Sequence, residues 1–182
     1  GSSRSDTGMA PLVERWRVIF DKSTIGVAFT DRDGRFWDVN NAYEKMIGYT
    51  GNELRKLSFF DITPEEFRES NRKLAIELWA RQVDQYQFEK PYRRKDGSLV
   101  WVRLHATLVP GADGEPRFAM ALCEDITERK HAEEALAIKE SAMASAINGM
   151  AIAEFGGKLT YVNRAFLDLW GYDTESEVLG SP

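Results

Sequence analysis

The sequence predicts an α+β fold: a five-stranded antiparallel sheet with helices on one face, followed by a connector helix and the first half of a second copy. Three observations predict it. The apolar segments run in the order two strands, several helices, three strands, which sets the helices together against one antiparallel sheet. The chain repeats itself at a distance of 123 positions, with Gly26 falling on Gly149. Between the copies lies a stretch of Glu, Arg, Lys and Ala with spaced Leu and Met, which reads as one charged helix.

Residues 1–10 read as a disordered start, with Gly1-Ser2-Ser3 a cloning remnant outside the fold. Pro11 to Phe20 reads as a short amphipathic helix (segment 11–21), with Pro in the first turn and Leu12, Trp16 and Ile19 on one stripe that needs a partner surface. Ile25 to Thr30 and Phe36 to Asn40 are apolar-rich strands joined by the Asp31-Arg32-Asp33-Gly34 turn. Asn40 or Asn41 then caps a helix through Tyr43, Met46 and Ile47, which Gly48 ends. Thr63-Pro64-Glu65-Glu66 reads as the start of the longest helix, with Thr63 as capping hydroxyl and Phe67, Leu74 and Leu78 on one face. Three strands follow, near 85–93, 99–109 and 117–124, with turns at Asp96-Gly97 and Gly111 to Gly114. The connector runs from Thr127 to about 146, and its best heptad frame puts small residues and one lysine on the seam, a weak coiled coil.

The repeat carries Gly26, Ala28, Gly34, Val39, Asn40, Ala42, Gly48 and Tyr49 onto Gly149, Ala151, Gly157, Val162, Asn163, Ala165, Gly171 and Tyr172 without a gap. The expected organisation is therefore a complete domain over 22–126, a connector over 127–146 and the N-terminal half of a second domain over 147–182. Met150, Ile152, Phe166, Leu169 and Trp170 then lack a long helix and three strands to pack on. This half is expected to be mobile, or to pack on a neighbouring chain or on the first sheet.

Composition sets the function classes. The chain is 43% hydrophobic and 29% charged, ordinary for a globular protein. Its net charge of −5 and pI near 5.2 argue against a nucleic-acid surface. The apolar runs are too short to cross a bilayer, so this segment is expected to make no membrane contact. The single cysteine, Cys123, excludes an internal disulfide and suits a reducing, cytoplasmic setting.

The run Gly26 to Tyr49, the Lys95-Asp96-Gly97-Ser98 turn with Trp101 following, and the ending Glu124-Asp125-Ile126-Thr127-Glu128-Arg129-Lys130 together resemble a PAS domain with its C-terminal PAC motif. The resemblance covers roughly residues 12 to 130, and again 146 to 182. It implies the PAS fold, found in bacterial histidine kinases, diguanylate cyclases and phosphodiesterases, with a ligand cleft between sheet and helices. It also implies a signal exit at Asp125, Ile126 and Thr127. Asp125 or Thr127 suits the cap of the connector, and Glu128 suits its positive end.

Strand alternation puts Val102 and Leu104 on the inner face with Val100, Ala106 and Leu108, and Trp101, Arg103 and His105 outside. By resemblance the row Ala119, Ala121, Cys123 points inward too. These small residues leave space for a ligand, or room for Phe67, Tyr86 and Phe88; both readings stand. Gly48 to Thr63 holds no cysteine, which argues against a LOV-type flavin adduct, and the long helix holds no histidine, which argues against haem. Another small ligand, or none, is left. No catalytic or metal-ligand arrangement emerges, and His131 lies at the domain exit rather than in a kinase context.

The sequence thus reads as a non-enzymatic sensing and relay module feeding a downstream output domain in the same protein, a histidine kinase first and a diguanylate cyclase second. It is expected to form a homodimer through Leu12, Trp16, Ile19 and Trp101. The competing readings are a ligand-free interaction spacer and a flavin redox sensor without the LOV cysteine.

Overall fold

A computed structural model describes residues 9–180, with side chains from Glu14 onward. Residues 1–8 of the expected disordered start, and the side chain of Leu12, lie outside the described part. Met9 and Ala10 belong to the first helix, α1 (Met9–Lys22), which is longer than expected at both ends. The chain divides into two compact units that meet at Glu128 and Arg129.

In the first unit, β1 (Gly26–Thr30) and β2 (Phe36–Val39) form the predicted hairpin, followed by α2 (Asn41–Ile47), α3 (Gly51–Leu54) and α4 (Glu65–Trp79). The strands β3 (Gln85–Arg93), β4 (Leu99–Pro110) and β5 (Pro116–Asp125) complete a sheet of order β2-β1-β5-β4-β3, antiparallel throughout. The first and last strands of the domain are thus hydrogen-bonded neighbours, with Gly26 opposite Cys123. The core lies between the sheet and the helices and is built on Tyr43, Ile47, Leu54, Leu78, Val100, Val102 and Leu104.

Two local devices shape the helical side. Asp31 Oδ1 accepts from the backbone N–H of Asp33 and of Arg35, which folds the turn so that Gly34 reaches φ +79°. A β-carbon at Gly34 would stand 2.7 Å from the Phe59 ring, so the glycine is required for Phe59 to lie against the hairpin.

The second device is Asn40. It is fully buried; its Oδ1 accepts from the N–H of Val27 (2.8 Å) and Tyr43 (3.0 Å), and its Nδ2 donates to the carbonyls of Phe20 and Ile25 (both 2.9 Å). One side chain therefore ties the end of α1, the start of β1 and the N-terminus of α2.

The connector, α5 (Thr127–Ser145), spans 19 residues, about 28 Å. The second unit contains the hairpin β6 (Ala151–Ala153) and β7 (Leu159–Val162), then α6 (Arg164–Trp170). Here Asn163 repeats the knot: Oδ1 accepts from Met150 and Phe166, and Nδ2 donates to the carbonyls of Met143, Ala146 and Asn148. Phe20 maps onto Met143 at the repeat distance, so α1 stands to the first copy as the end of α5 stands to the second. Val162, Leu167 and Val178 form a small cluster of their own, while Ile152, Leu169 and Trp170 remain exposed.

Candidate functional site

Alternation along β3 brings Tyr86, Phe88, Lys90 and Tyr92 to the inner face of the sheet. Lys90 is the unexpected member of this row. Its side chain is 0% exposed, and its Nζ donates to Thr63 Oγ1 (2.9 Å) and to Asn71 Oδ1. The same nitrogen lies over the rings of Tyr92 (4.3 Å to the centroid) and Phe59 (5.0 Å).

The cage holds its acceptors in the right orientation. The Thr63 hydroxyl donates to the Phe59 carbonyl (2.6 Å), which leaves its lone pairs for the amine. The Asn71 Nδ2 donates towards the Tyr86 hydroxyl (3.4 Å), which turns its carbonyl oxygen to Lys90. With two N–H bonds so used, an ammonium directs its third towards an aromatic face, whereas a neutral amine would direct its lone pair there.

No carboxylate pairs with Lys90 among the described residues. Burial pushes the Lys90 amine down to about 7. Burial likewise raises the Cys123 thiol to about 12, Tyr86 to about 12, and the phenols of Tyr43 and Tyr92 well above their ordinary range.

Beside the cage is a small cavity of about 30 Å³, whose wall includes Tyr43, Phe59, Asn71, Tyr86 and Tyr92. That volume corresponds to roughly two water molecules. It is far below the ~300–1,000 Å³ of sites for drug-sized ligands, so a haem or flavin would require the fold to open. The Tyr43 hydroxyl is fully buried, and the Tyr92 phenol beside it does not meet it in good hydrogen-bond geometry.

Of the residues expected to line a pocket, Tyr86, Leu104, Ala119 and Ala121 do so. Phe67, Phe88, Val102 and Cys123 do not. Val102 and Cys123 are consumed by the packed core, and Phe88 packs against it at partial exposure. Phe67, in the first turn of α4, turns its ring edge-on to Trp101 at 5.7 Å between centroids.

The expected cap also takes a different role. Pro64 occupies the N-cap position of α4 with no side-chain capping bond, and Thr63 serves Lys90 instead.

At the exit, Asp125 Oδ1 accepts from the Thr127 N–H (2.9 Å) and so caps α5. Thr127 Oγ1 accepts from the backbone N–H of Trp101 (3.0 Å), and the Ile126 N–H donates to the Trp101 carbonyl (2.8 Å). The start of the connector is thus bonded to the start of β4 through Trp101. That residue is half-buried, with its ring engaged by Phe67, so it is not the open outer-face aromatic the alternation suggested.

A second aromatic run, exposed at Trp16 and Trp37, lies elsewhere. Trp16, Phe20, Phe29, Trp37 and Phe118 follow one another at centroid separations of 5.9, 5.9, 6.3 and 4.4 Å, with Trp37 55% exposed. Trp16 and Ile19 are exposed as expected, and it is Phe20 that buries against the domain. The described residues hold no cluster of metal-ligating side chains, and none of their helices is long and apolar enough to cross a membrane.

Comparison with known proteins agrees with this architecture. Residues 20–131 match the family described as PAS fold, and residues 137–182 match a second family described as PAS domain. The chain is 25% identical over 158 residues to the sensor histidine kinase TmoS of Ectopseudomonas mendocina, covering 87% of this chain and 16% of that protein. It is 32% identical over 119 residues to the probable diguanylate cyclase DgcE of Escherichia coli, covering 65% of this chain and 11% of that protein. The chain thus spans a small part of these much longer relatives. Among solved structures it resembles the PAS domain of an HTR-like protein from Haloarcula marismortui, with a TM-score of 0.58, 25% identity, and coverage of 66% of this chain and 97% of that one. A PAS domain from Colwellia psychrerythraea superposes with a TM-score of 0.59 at 20% identity, covering 64% and 98%.

Proposed function

The chain belongs to the PAS family of signal-transduction modules, and from that premise we propose that it senses at the cavity beside Lys90 and relays through Trp101 into the connector helix. The observation that carries this is the dual engagement of Trp101. Its ring meets Phe67 of α4, while its backbone N–H and carbonyl bond to Thr127 and Ile126 at the start of α5. Asn71, which holds Lys90 and lines the cavity, sits one turn along α4 from Phe67 and therefore on the same face. A change at the cavity that moves α4 has a contiguous route of packed and hydrogen-bonded groups to the connector.

The output lies outside this segment: a histidine kinase, as in TmoS, is the first reading and a diguanylate cyclase, as in DgcE, the second. The segment itself performs no chemistry in this reading. It acts as a homodimer that associates through the exposed Trp16, Val18 and Ile19 of α1 and through Trp37, since clustered exposed apolar side chains mark an interface. Its setting is the cytoplasm.

The relay is tested by amide hydrogen exchange on Phe67→Ala, which removes the ring contact without touching the cavity wall. Faster exchange in the first turn of α5, with the β3 and β4 amides unchanged, is the expected result. Unchanged exchange in α5 would sink the relay. Sedimentation of Trp37→Ser tests the dimer: the variant should shift to monomer, and a parent chain that is monomeric at high concentration overturns that part.

A further inference from the structure

Lys90 is a buried amine, and for its protonated form the described residues provide no anion. Two neutral acceptors and two ring faces solvate it, but none of them cancels its charge. The cage and the cavity share three walls, Phe59, Asn71 and Tyr92, so the charge lies directly behind the cavity lining. Next to Tyr92 in the same lining, 6.4 Å between ring centroids, the buried Tyr43 hydroxyl has only the Tyr92 phenol near it and no acceptor in good hydrogen-bond geometry.

A third feature points the same way. An outer groove of about 250 Å³ shares Phe59, Ala75 and Trp79 with the cavity, and its charged side chains are Arg32, Arg72 and Asp33. Arg72 lies over the Phe60 ring at 4.6 Å. The groove carries a net positive charge, and behind its inner wall stands a second positive charge. A cation would be repelled at both points, and a neutral ligand would leave Lys90 uncompensated.

We propose that the cavity takes the carboxylate of a short-chain monocarboxylic acid, which accepts a hydrogen bond from Tyr43 and neutralises Lys90. This rests on reading the cavity as the sensory site. The cavity admits only about two water volumes, so the acid is short and its tail extends past Phe59 and Trp79 into the groove. The carboxylate replaces a solvation shell that the buried amine has lost, and at low local dielectric the pairing is strong over several ångströms.

Seating the acid changes what Asn71 and Lys90 hold, and both are contacts between α4 and the sheet. The other titratable groups around the amine are Cys123 on β5, Tyr86 and Tyr92 on β3, and Tyr43 on α2. Burial keeps all four protonated at neutral pH, and Thr63 and Asn71 do not titrate. Binding therefore draws on the charge of Lys90 alone and weakens as pH rises past about 7.

Isothermal titration calorimetry of the whole chain with acetate, propionate and butyrate, each beside its amide, tests this. The acids should bind at least about tenfold more tightly than the amides, a difference of one charge pairing. They should also take up a proton at alkaline pH, seen as a dependence of the heat on buffer ionisation. Lys90→Met keeps the stem and removes the charge, and Tyr43→Phe removes a hydroxyl that makes no well-formed hydrogen bond, so both variants retain the fold. Lys90→Met should lose the preference for acid over amide, and Tyr43→Phe should weaken the binding of acid and amide together. Equal affinity for acid and amide, or acid binding that survives Lys90→Met, overturns the inference and leaves the cavity as a neutral-ligand sensor. Failure of acids and amides alike overturns the inference together with the sensory reading of the cavity.

Discussion

Replacing Asn40 by alanine removes four hydrogen bonds at one point. Two buried N–H groups, of Val27 and Tyr43, lose their acceptor, and the carbonyls of Phe20 and Ile25 lose their donor. A hydrogen bond contributes roughly 0.5–1.5 kcal/mol net, and a buried group left unpaired costs about 1–3 kcal/mol. The fully buried position places the total near 4 kcal/mol, a large share of the ~5–15 kcal/mol that holds a domain folded. With a urea dependence of about 2 kcal/mol per molar, the unfolding midpoint of the first unit should fall by roughly 2 M. The internal repeat supplies the control. Asn163→Ala removes the corresponding bonds in the second copy and a third donated bond, to the Ala146 carbonyl, so it should accelerate amide exchange across 146–180 and leave 26–125 protected. The assay is urea unfolding followed by tryptophan fluorescence, with hydrogen exchange resolved by mass spectrometry. A midpoint shift below about 0.5 M for Asn40→Ala, or loss of protection in the first unit for Asn163→Ala, would refute the view that each asparagine independently knots its own copy.

Three further perturbations follow from the cage and the exit. Between pH 7 and 9 the unfolded Lys90 holds a proton that the folded one, pushed down to about 7, has released, so stability climbs with pH through that window by up to ~1.4 kcal/mol per unit. Above pH 9 the Cys123 thiol, raised to about 12, opposes the trend because its unfolded form ionises first. Lys90→Met should flatten the climb, and denaturant midpoints measured across pH that stay parallel in the two proteins would count against the buried amine. Thr63→Val should destabilise the first unit by about 1–3 kcal/mol while the first turn of α4 stays protected from exchange, since Thr63 serves Lys90 and not the helix. Fraying of that turn would restore the capping role. Thr127→Val breaks the bond to the Trp101 N–H and should cost about 1 kcal/mol, with faster exchange at the start of α5 and an unchanged core.

What the sequence disclosed, and what it withheld, divides along a physical line. The five antiparallel strands, the repeat and the turn at Asp125 to Thr127 that starts the connector were legible because each rests on local chemistry: alternation, turn residues and a cap. The spatial order of the strands was not, because it rests on pairing between distant segments. The roles of Thr63 and Lys90 were not, because each is fixed by a partner distant in sequence. Thr63-Pro64-Glu65-Glu66 carries every local mark of a capping box, and nothing nearby shows that a lysine 27 positions on takes the hydroxyl. A signal was nevertheless present in the row Tyr86, Phe88, Lys90, Tyr92, where strand alternation sends a lysine inward among aromatics. Such a lysine is a core defect unless the opposing helix brings acceptors, and α4 brings Asn71 at an inward-facing position where an apolar residue would pack better. Phe67 failed as a pocket residue for the same reason. It shares a face with Asn71, but the first turn of α4 overhangs the sheet at Trp101 and not the cavity. Inward polarity on two facing elements marks this site more sharply than the small residues of β5, since alanines admit either a ligand or tight packing. A buried amine and a buried amide carry a desolvation cost that packing alone does not offset.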